Sequence, residues 1–278
     1  MLTLLAVTLA APPLDPELTA EYRWRVGVRF DPPTVAASFR ERVCREVAAG
    51  LRPLVGDAGR VEVYDLRALP EADRTPLDAA FLLSGWAAFD ADAARTLTGV
   101  KQHLVRVAVR QGTYTLEARQ LDGSTGLASP AVRSRTTRDA QAVGREVGLL
   151  VGREFGAVGT VERDGPEALT GTVRFKAGRL PGFERLAKAG DVFAVAVVRE
   201  QPRPVERDKR GRPLSGRGSA PVPLVAAPQG FVLVQLLADP ADGAARCKFH
   251  SQYREPLPVP RDAVGVRCLK LATVDAPA

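Results

Sequence analysis

Between Lys101 and Gly126 the chain alternates with period two on both sides of a tight break, and few backbones accept that pattern. Val105, Val107 and Val109 alternate with Leu104, Arg106, Ala108 and Arg110. Gln111-Gly112 interrupts the run, and Tyr114, Leu116 and Ala118 then alternate with Thr115, Glu117 and Arg119. Successive side chains of a strand point to opposite faces, so the segment predicts a β-hairpin with one apolar face. It closes on Asp122-Gly123-Ser124-Thr125-Gly126, residues that tolerate positive φ or bond their own backbone. Asp122, Gly123 and Gly126 are therefore expected to make a structural turn.

The flanking sequence supplies a layer for that hairpin to join. Tyr22, Trp24, Val26, Val28 and Phe30 alternate with Arg23, Arg25, Gly27 and Arg29, a half-buried strand that Asp31-Pro32-Pro33 ends. Thr34 is placed to cap a helix whose apolar positions Val35, Phe39, Val43, Val47 and Leu51 recur every four residues. Val61, Val63 and Tyr64 make a short strand, and Thr75 with Pro76 signals a second helix through Leu77, Phe81 and Leu82. Leu127–Arg135 reads as a third meander strand, with Pro130 favouring an edge. Thr137 to Phe155 closes the unit as a helix with a Val143, Val147, Leu150, Val151 and Phe155 stripe. On its neighbouring face Gly144, Gly148 and Gly152 are expected to allow close approach to another element.

Beyond Phe155 the helical period stops. Val158–Arg163, Thr170–Phe175, Val192–Val198, Phe231–Leu237, Ala244–Phe249 and Val264–Leu271 are short strand-like runs separated by Gly, Pro and Asp. Closure into a barrel hides the edges of so many short strands. The predicted class is α+β: a β-α-β-α-meander-α domain over 21–156, then a small SH3-like all-β barrel over 157–275.

The chain has 278 residues, 45% of them hydrophobic, enough to bury a sizeable core. Its formal charge of +7 is carried by 33 Arg and only six Lys, and Ile and Asn are absent. A GC-rich bacterial genome explains that bias, so the charge is partly compositional. The exception is the loop 203–218, where Arg203, Arg207, Lys209, Arg210, Arg212 and Arg217 face only two acidic residues. These six are candidate polyanion contacts. The other reading is a loop kept soluble by charge, and no aromatic is interleaved to stack on a base.

Residues 1–20 read as a signal peptide and spacer: MLTLLAVTLAA is apolar, with small residues at Thr8 and Ala10. That predicts a periplasmic or secreted protein; a start without a true signal leaves it cytoplasmic. The run is too short to span a bilayer, and no transmembrane segment is expected elsewhere. Cys247 and Cys268 are a candidate disulfide, and Cys44 reads as a buried apolar residue on a helix. Cys247, His250 and Cys268 lack a fourth metal ligand, and His103 reads as a strand histidine. The sequence carries no nucleophile elbow, zinc-protease motif, phosphate-binding loop or dinucleotide fingerprint. No catalytic residue, metal or cofactor is therefore assigned.

The opening strand RVGVRF followed by a helix, and the segment YTLEARQLDGSTG with its Asp122, Thr125 and Gly126 turn, resemble the amino-terminal domain of TolB-like periplasmic proteins. The barrel, where Gly190-Asp191 leads into VFAVAVV, is similar to the carboxy-terminal domain of the flagellar assembly protein T family. That resemblance implies an exported envelope protein that binds other envelope proteins without catalysis, and it carries no catalytic residues over. The alternatives are polyanion binding through the basic loop, with nucleic acid the less favoured ligand, and a hydrolase with an unrecognised carboxylate site. The sequence leaves the oligomeric state and the identity of any partner open.

Overall fold

The structure is a computed structural model that describes residues 21–79, 97, 99–129, 131–165, 167–200, 224–253 and 255–271. The chain runs β1 (Tyr22–Asp31), α1 (Ala37–Val55), β2 (Gly59–Asp65), α2 (Glu71–Ala79), β3 (Val100–Arg110), β4 (Thr113–Asp122), β5 (Leu127–Ala128), β6 (Arg133–Thr137) and α3 (Val143–Glu154). Six further strands follow: β7 (Val158–Arg163), β8 (Thr170–Phe175), β9 (Val192–Glu200), β10 (Leu224–Leu236), β11 (Ala244–Ser251) and β12 (Ala263–Lys270). The architecture is mixed α+β. The first six strands form one sheet in the order β2-β1-β3-β4-β5, with β6 also on β4. The last six close into an antiparallel barrel, β10-β11-β8-β7-β12-β9.

The hairpin sits beside β1 in the first sheet. β1 pairs in parallel with both β2 and β3, and β3 pairs antiparallel with β4 from Lys101↔Asp122 to Arg110↔Thr113. The register sets the faces. Trp24, Val26, Val28 and Phe30 share one face with Lys101, His103, Val105 and Val107, and with Asp122, Gln120, Ala118 and Leu116. Val43, Val47 and Leu51 of α1 and Val147 and Val151 of α3 belong to the same buried cluster. Each fully buried aliphatic contributes roughly 1.5–3 kcal/mol. The cluster continues without a break through Phe155, Ala157 and Val158 into the barrel interior, where it reaches Phe175, Phe193, Val195 and Leu236. On the opposite face Leu66, Leu77, Leu104 and Leu121 make a second, smaller cluster.

Several element boundaries differ from the sequence expectation, each for a local reason. Thr34 does not cap α1: the helix begins at Ala37 after Ala36, and Thr34 lies in the turn that follows the cis Asp31-Pro32 bond. Thr75 does not start α2. The Pro70 carbonyl accepts from Asp73 and Arg74, and Glu71 and Asp73 place negative charge at the helix N-terminus. Thr75 lies inside and donates its hydroxyl to Glu71 O at 2.9 Å. Phe81 and Leu82 lie outside the described residues. Thr137 belongs to β6, paired with Tyr114, so α3 begins only at Val143. The meander strand is two pieces: Leu127–Ala128 on one end of β4 and Arg133–Thr137 on the other. Pro130, which has no N–H for a ladder, falls in sequence between them.

α1 and α3 lie side by side and run in the same direction. The Arg42 guanidinium donates to Ala140 O at 2.9 Å, Gly144 sits against Glu46, and Gly152 sits against Leu54. All three pairs are offset by 98 residues. A methyl group at Gly144 would lie 2.6 Å from the Glu46 Cβ, so this glycine does permit close approach. Gly148 differs, because a Cβ there meets nothing within 4 Å. The close approach expected of this glycine run is thus present at Gly144 and Gly152 and not at Gly148. Gly144→Ala is expected to destabilise the fold by about 1–3 kcal/mol through overpacking. Gly148→Ala is expected to stabilise it by about 0.5–1 kcal/mol through helix propensity. Urea unfolding of the two variants checks this; shifts of the same sign contradict the packing described.

Candidate functional site

The offset that aligns α1 with α3 places Gly50 beside Gly148. A Cβ built on Gly50 also meets nothing within 4 Å. Where two packed helices normally interdigitate side chains, this pair has none at that level. The result is an open groove of about 570 Å³. Leu51 and Leu54 line it from α1, together with Ala49, and Leu149 and Gly152 line it from α3. Leu149 is 47% exposed, on the side of α3 away from its buried Val143, Val147, Leu150 and Val151. Arg145 and Arg153 stand at the margin on α3, with Glu46 on α1. Glu46 is held by Arg42 at 3.2 Å. Arg145 lies 3.3 Å from Glu146, yet its side chain remains 73% exposed.

The richest group of titratable side chains lies elsewhere, where the first sheet meets the barrel. The Lys101 Nζ donates to Asp122 Oδ2 at 2.8 Å, with both side chains almost wholly buried. The ammonium also lies 5.0 Å from the Phe155 ring centre and 5.7 Å from that of Tyr22. Burial pushes the Lys101 pKa down from its ordinary value, and Asp122 opposes that shift. The other Asp122 oxygen accepts from the Ser124 and Thr125 amides at 3.1 and 2.9 Å and from the Thr125 hydroxyl at 2.9 Å. A side chain at Gly123 would collide with the Leu97 carbonyl, and Gly126 adopts φ 63° with its Cα facing Ala226 O of β10.

The same seam carries bonds between the two sheets. Tyr22 Oη accepts from the Val158 amide at 2.9 Å, the Gly156 amide donates to Gln120 Oε1 at 2.8 Å, and Arg267 of β12 donates to Ser124 O at 2.6 Å. His103 accepts from Trp24 Nε1 on its Nδ1 at 2.7 Å. With Nδ1 as acceptor, the neutral imidazole carries its proton on Nε2. Burial, and next the nearby Lys101, hold the His103 pKa well below 6.5. Burial likewise raises the Tyr22 hydroxyl pKa. Lys101, His103, Tyr22 and Asp122 are each no more than 2% exposed, so a solute has no path to them. The chemistry available there is cohesion.

Of the remaining sequence candidates, the structure describes the cysteines and His250. Arg203, Arg207, Lys209, Arg210, Arg212 and Arg217 lie outside the described residues, as do residues 1–20. Cys247 and Cys268 are buried free thiols on β11 and β12, which are not neighbours in the barrel. Burial pushes the Cys247 thiol up to about 11 and raises Cys268 further; Cys44 is pushed up to about 12. His250 points outward and bonds Gln235 at 3.0 Å, on the opposite side of β11 from Cys247. Among the described residues no group of three or more His, Cys, Asp or Glu is placed to hold a metal ion. None of their helices is long and apolar enough to cross a membrane. The groove was missed at the sequence level; its signal was Gly148, but the matching Gly50 lies 98 residues away.

No protein-family model matches the chain, and no curated protein matches it. Among solved structures, it has a weak likeness to the crystal structure of TolB from Acinetobacter baumannii, with a TM-score of 0.30 and 10% identity. The match covers 58% of this chain and 38% of that one.

The buried imidazole makes stability depend on pH with a defined sign. The folded protein refuses a proton that the unfolded chain accepts near pH 6.5. The contribution of neutral His103 is therefore complete above that pH and is lost as pH falls below it, by up to about 1.4 kcal/mol per pH unit. Asp31, whose pKa is lowered although burial alone would raise it, because Arg106 and Arg29 hold its charged form, adds its own loss only at more acidic pH. His103→Asn retains an acceptor for Trp24 and is expected to flatten the slope between pH 7 and pH 5. Urea midpoints across that range measure it, and parallel slopes in the two proteins would contradict the assignment.

Proposed function

We propose that this is a non-catalytic bacterial envelope protein that mediates protein–protein interaction or assembly through the α1/α3 groove. The single observation that carries the reading is the groove itself: an apolar concavity between two helices, bared by facing glycines and flanked by an exposed leucine. Leaving such a surface in water costs roughly 25 cal/mol per Å² of apolar area, which a bound partner recovers. Phe231 on β10 is more exposed, at 68%, but it stands outside this groove. The resemblance of the sequence to a TolB-like domain joined to a barrel, as in the flagellar assembly protein T family, supports an envelope setting. So does the apolar N-terminal run, which supports export to the periplasm or beyond.

The test is capture from an envelope extract with three baits: the native protein, Leu149→Asp and Phe231→Ser. The native protein and Phe231→Ser are expected to retain the same partner, and Leu149→Asp is expected to reduce its recovery by at least about tenfold, the effect of roughly 1.4 kcal/mol. Retention on heparin or DNA with no protein partner would overturn the proposal in favour of polyanion binding.

A further inference from the structure

We infer that the hold of the seam is conditional on a neutral His103: a proton on that imidazole releases the segment Phe155–Val158, which joins α3 to the barrel, while the β3–β4 ladder stays formed. This acid-operated device is separate from the groove and needs no partner. Three observations carry it.

First, the imidazole has no room for a second proton. Trp24 Nε1 donates to His103 Nδ1 at 2.7 Å, and Nδ1 is the nitrogen that the proton would occupy. Two N–H groups would then face each other, so the indole and the imidazole must part. On the other side of the ring, the buried Nε2 has no hydrogen bond of normal geometry among the described residues, although the Glu154 backbone at the end of α3 favours the charged form.

Second, the charged groups around the ring supply no counter-ion. On β3 itself Lys101 opposes a charge on His103. On β4 Asp122 is engaged by Lys101 at 2.8 Å, and Gln120, opposite His103, is neutral. On β1 burial raises the Tyr22 pKa and keeps the phenol neutral. On α3 the Glu154 carboxylate lies 2.6 Å from Arg133 Nε. The barrel side adds only cations: Lys176, 5.6 Å from the Tyr22 ring centre, and Arg267, bonded to Ser124 O. Glu154 titrates with the opposite sign, because burial raises its pKa against the pull of Ser129 and Arg133, and it opposes opening by acid.

Third, what covers the ring is held more weakly than what carries it. The His103 backbone lies between two ladders, opposite Val26 of β1 and Gln120 of β4. Trp24 instead packs under Phe155, with 4.5 Å between ring centres. Phe155 follows the last residue of α3, and its amide reaches Gly152 O at 3.3 Å. The next amides rest on side chains of the first sheet, Gly156 on Gln120 Oε1 and Val158 on Tyr22 Oη. Displacing the indole therefore moves Phe155 and its neighbours before it parts any strand. Helix ends open at lower free energy than central strands.

An opening that returns His103 to its ordinary pKa near 6.5 becomes about tenfold more populated between pH 7.5 and pH 5.5. Hydrogen exchange of the full chain, read by NMR as protection factors, tests it. The Gly156 and Val158 amides are expected to lose protection by about tenfold over that range. They are also expected to stay at least about tenfold less protected than Val105 and Val107 and, unlike those ladder amides, to be insensitive to low urea, because a local opening exposes little surface. His103→Asn keeps an acceptor for Trp24 and does not titrate, so it is expected to abolish the pH dependence; His103→Gln is the second non-titrating variant should Asn not fold. Unchanged protection of Gly156 and Val158 with pH, protection and urea dependence equal to those of Val105 and Val107, or the same acid loss in a folded His103 variant would each overturn the inference.

Discussion

The Lys101–Asp122 ion pair ties the β3–β4 hairpin to the turn that meets the barrel. The two residues face each other at the open end of the β3–β4 hairpin, so the pair closes the strands where their ladder ends. Through its other oxygen Asp122 holds the Ser124-Thr125 turn, and that turn touches β10 through Gly126 and β12 through Arg267. One carboxylate thus fixes a hairpin, a turn and the approach of a barrel. A buried ion pair adds little net stability over an apolar pair, but removing one partner strands a charge and costs about 3–5 kcal/mol. The Phe155 and Tyr22 rings around the ammonium partly replace its lost water. The consequence is positional: the helix layer is held by a sheet that is itself held to the barrel.

That rigidity gives the groove its meaning. A gap between two mobile helices closes by collapse, as cavities in soft cores do. α1 and α3 cannot easily approach each other, because Glu46 already sits against Gly144 at one level and Leu54 against Gly152 at another. The facing Gly50 and Gly148 are left as a fixed opening. Glycines at the same four-residue spacing therefore do two different things on one helix: contact at Gly144 and vacancy at Gly148. Arg42 strengthens the tight level, bonding both Glu46 and the Ala140 carbonyl.

Period-two patterning made most of the strands legible. Val158–Arg163 and Thr170–Phe175 coincide with β7 and β8, and the hairpin coincides with β3 and β4, because alternation directly encodes which face is buried. Helix starts were less legible: Thr34, Thr75 and Thr137 each have capping chemistry, but neighbouring backbone geometry and strand pairing decide the boundary. The buried seam was partly legible, since Lys101 and His103 continue the parity of Val105 and Val107 onto the core face. What hid it was residue type, because lysine and histidine ordinarily mark the solvent side. Pairing Gly50 with Gly148 required the tertiary alignment of two helices, and no local pattern encodes that.

The central claim is that the groove acts and the polar seam only holds. One paired measurement separates the two roles: partner capture and urea unfolding, read together on Leu149→Asp and on the Lys101→Met/Asp122→Asn double variant. The account predicts that the double variant, which strands no charge and keeps a side-chain oxygen for the Ser124 and Thr125 amides, keeps partner capture within about twofold, a change of under 0.5 kcal/mol. It predicts that Leu149→Asp, at an exposed site, unfolds within about 0.5 kcal/mol of the native protein yet loses the partner. A folded double variant that no longer captures the partner, beside a Leu149→Asp protein that still does, would contradict it.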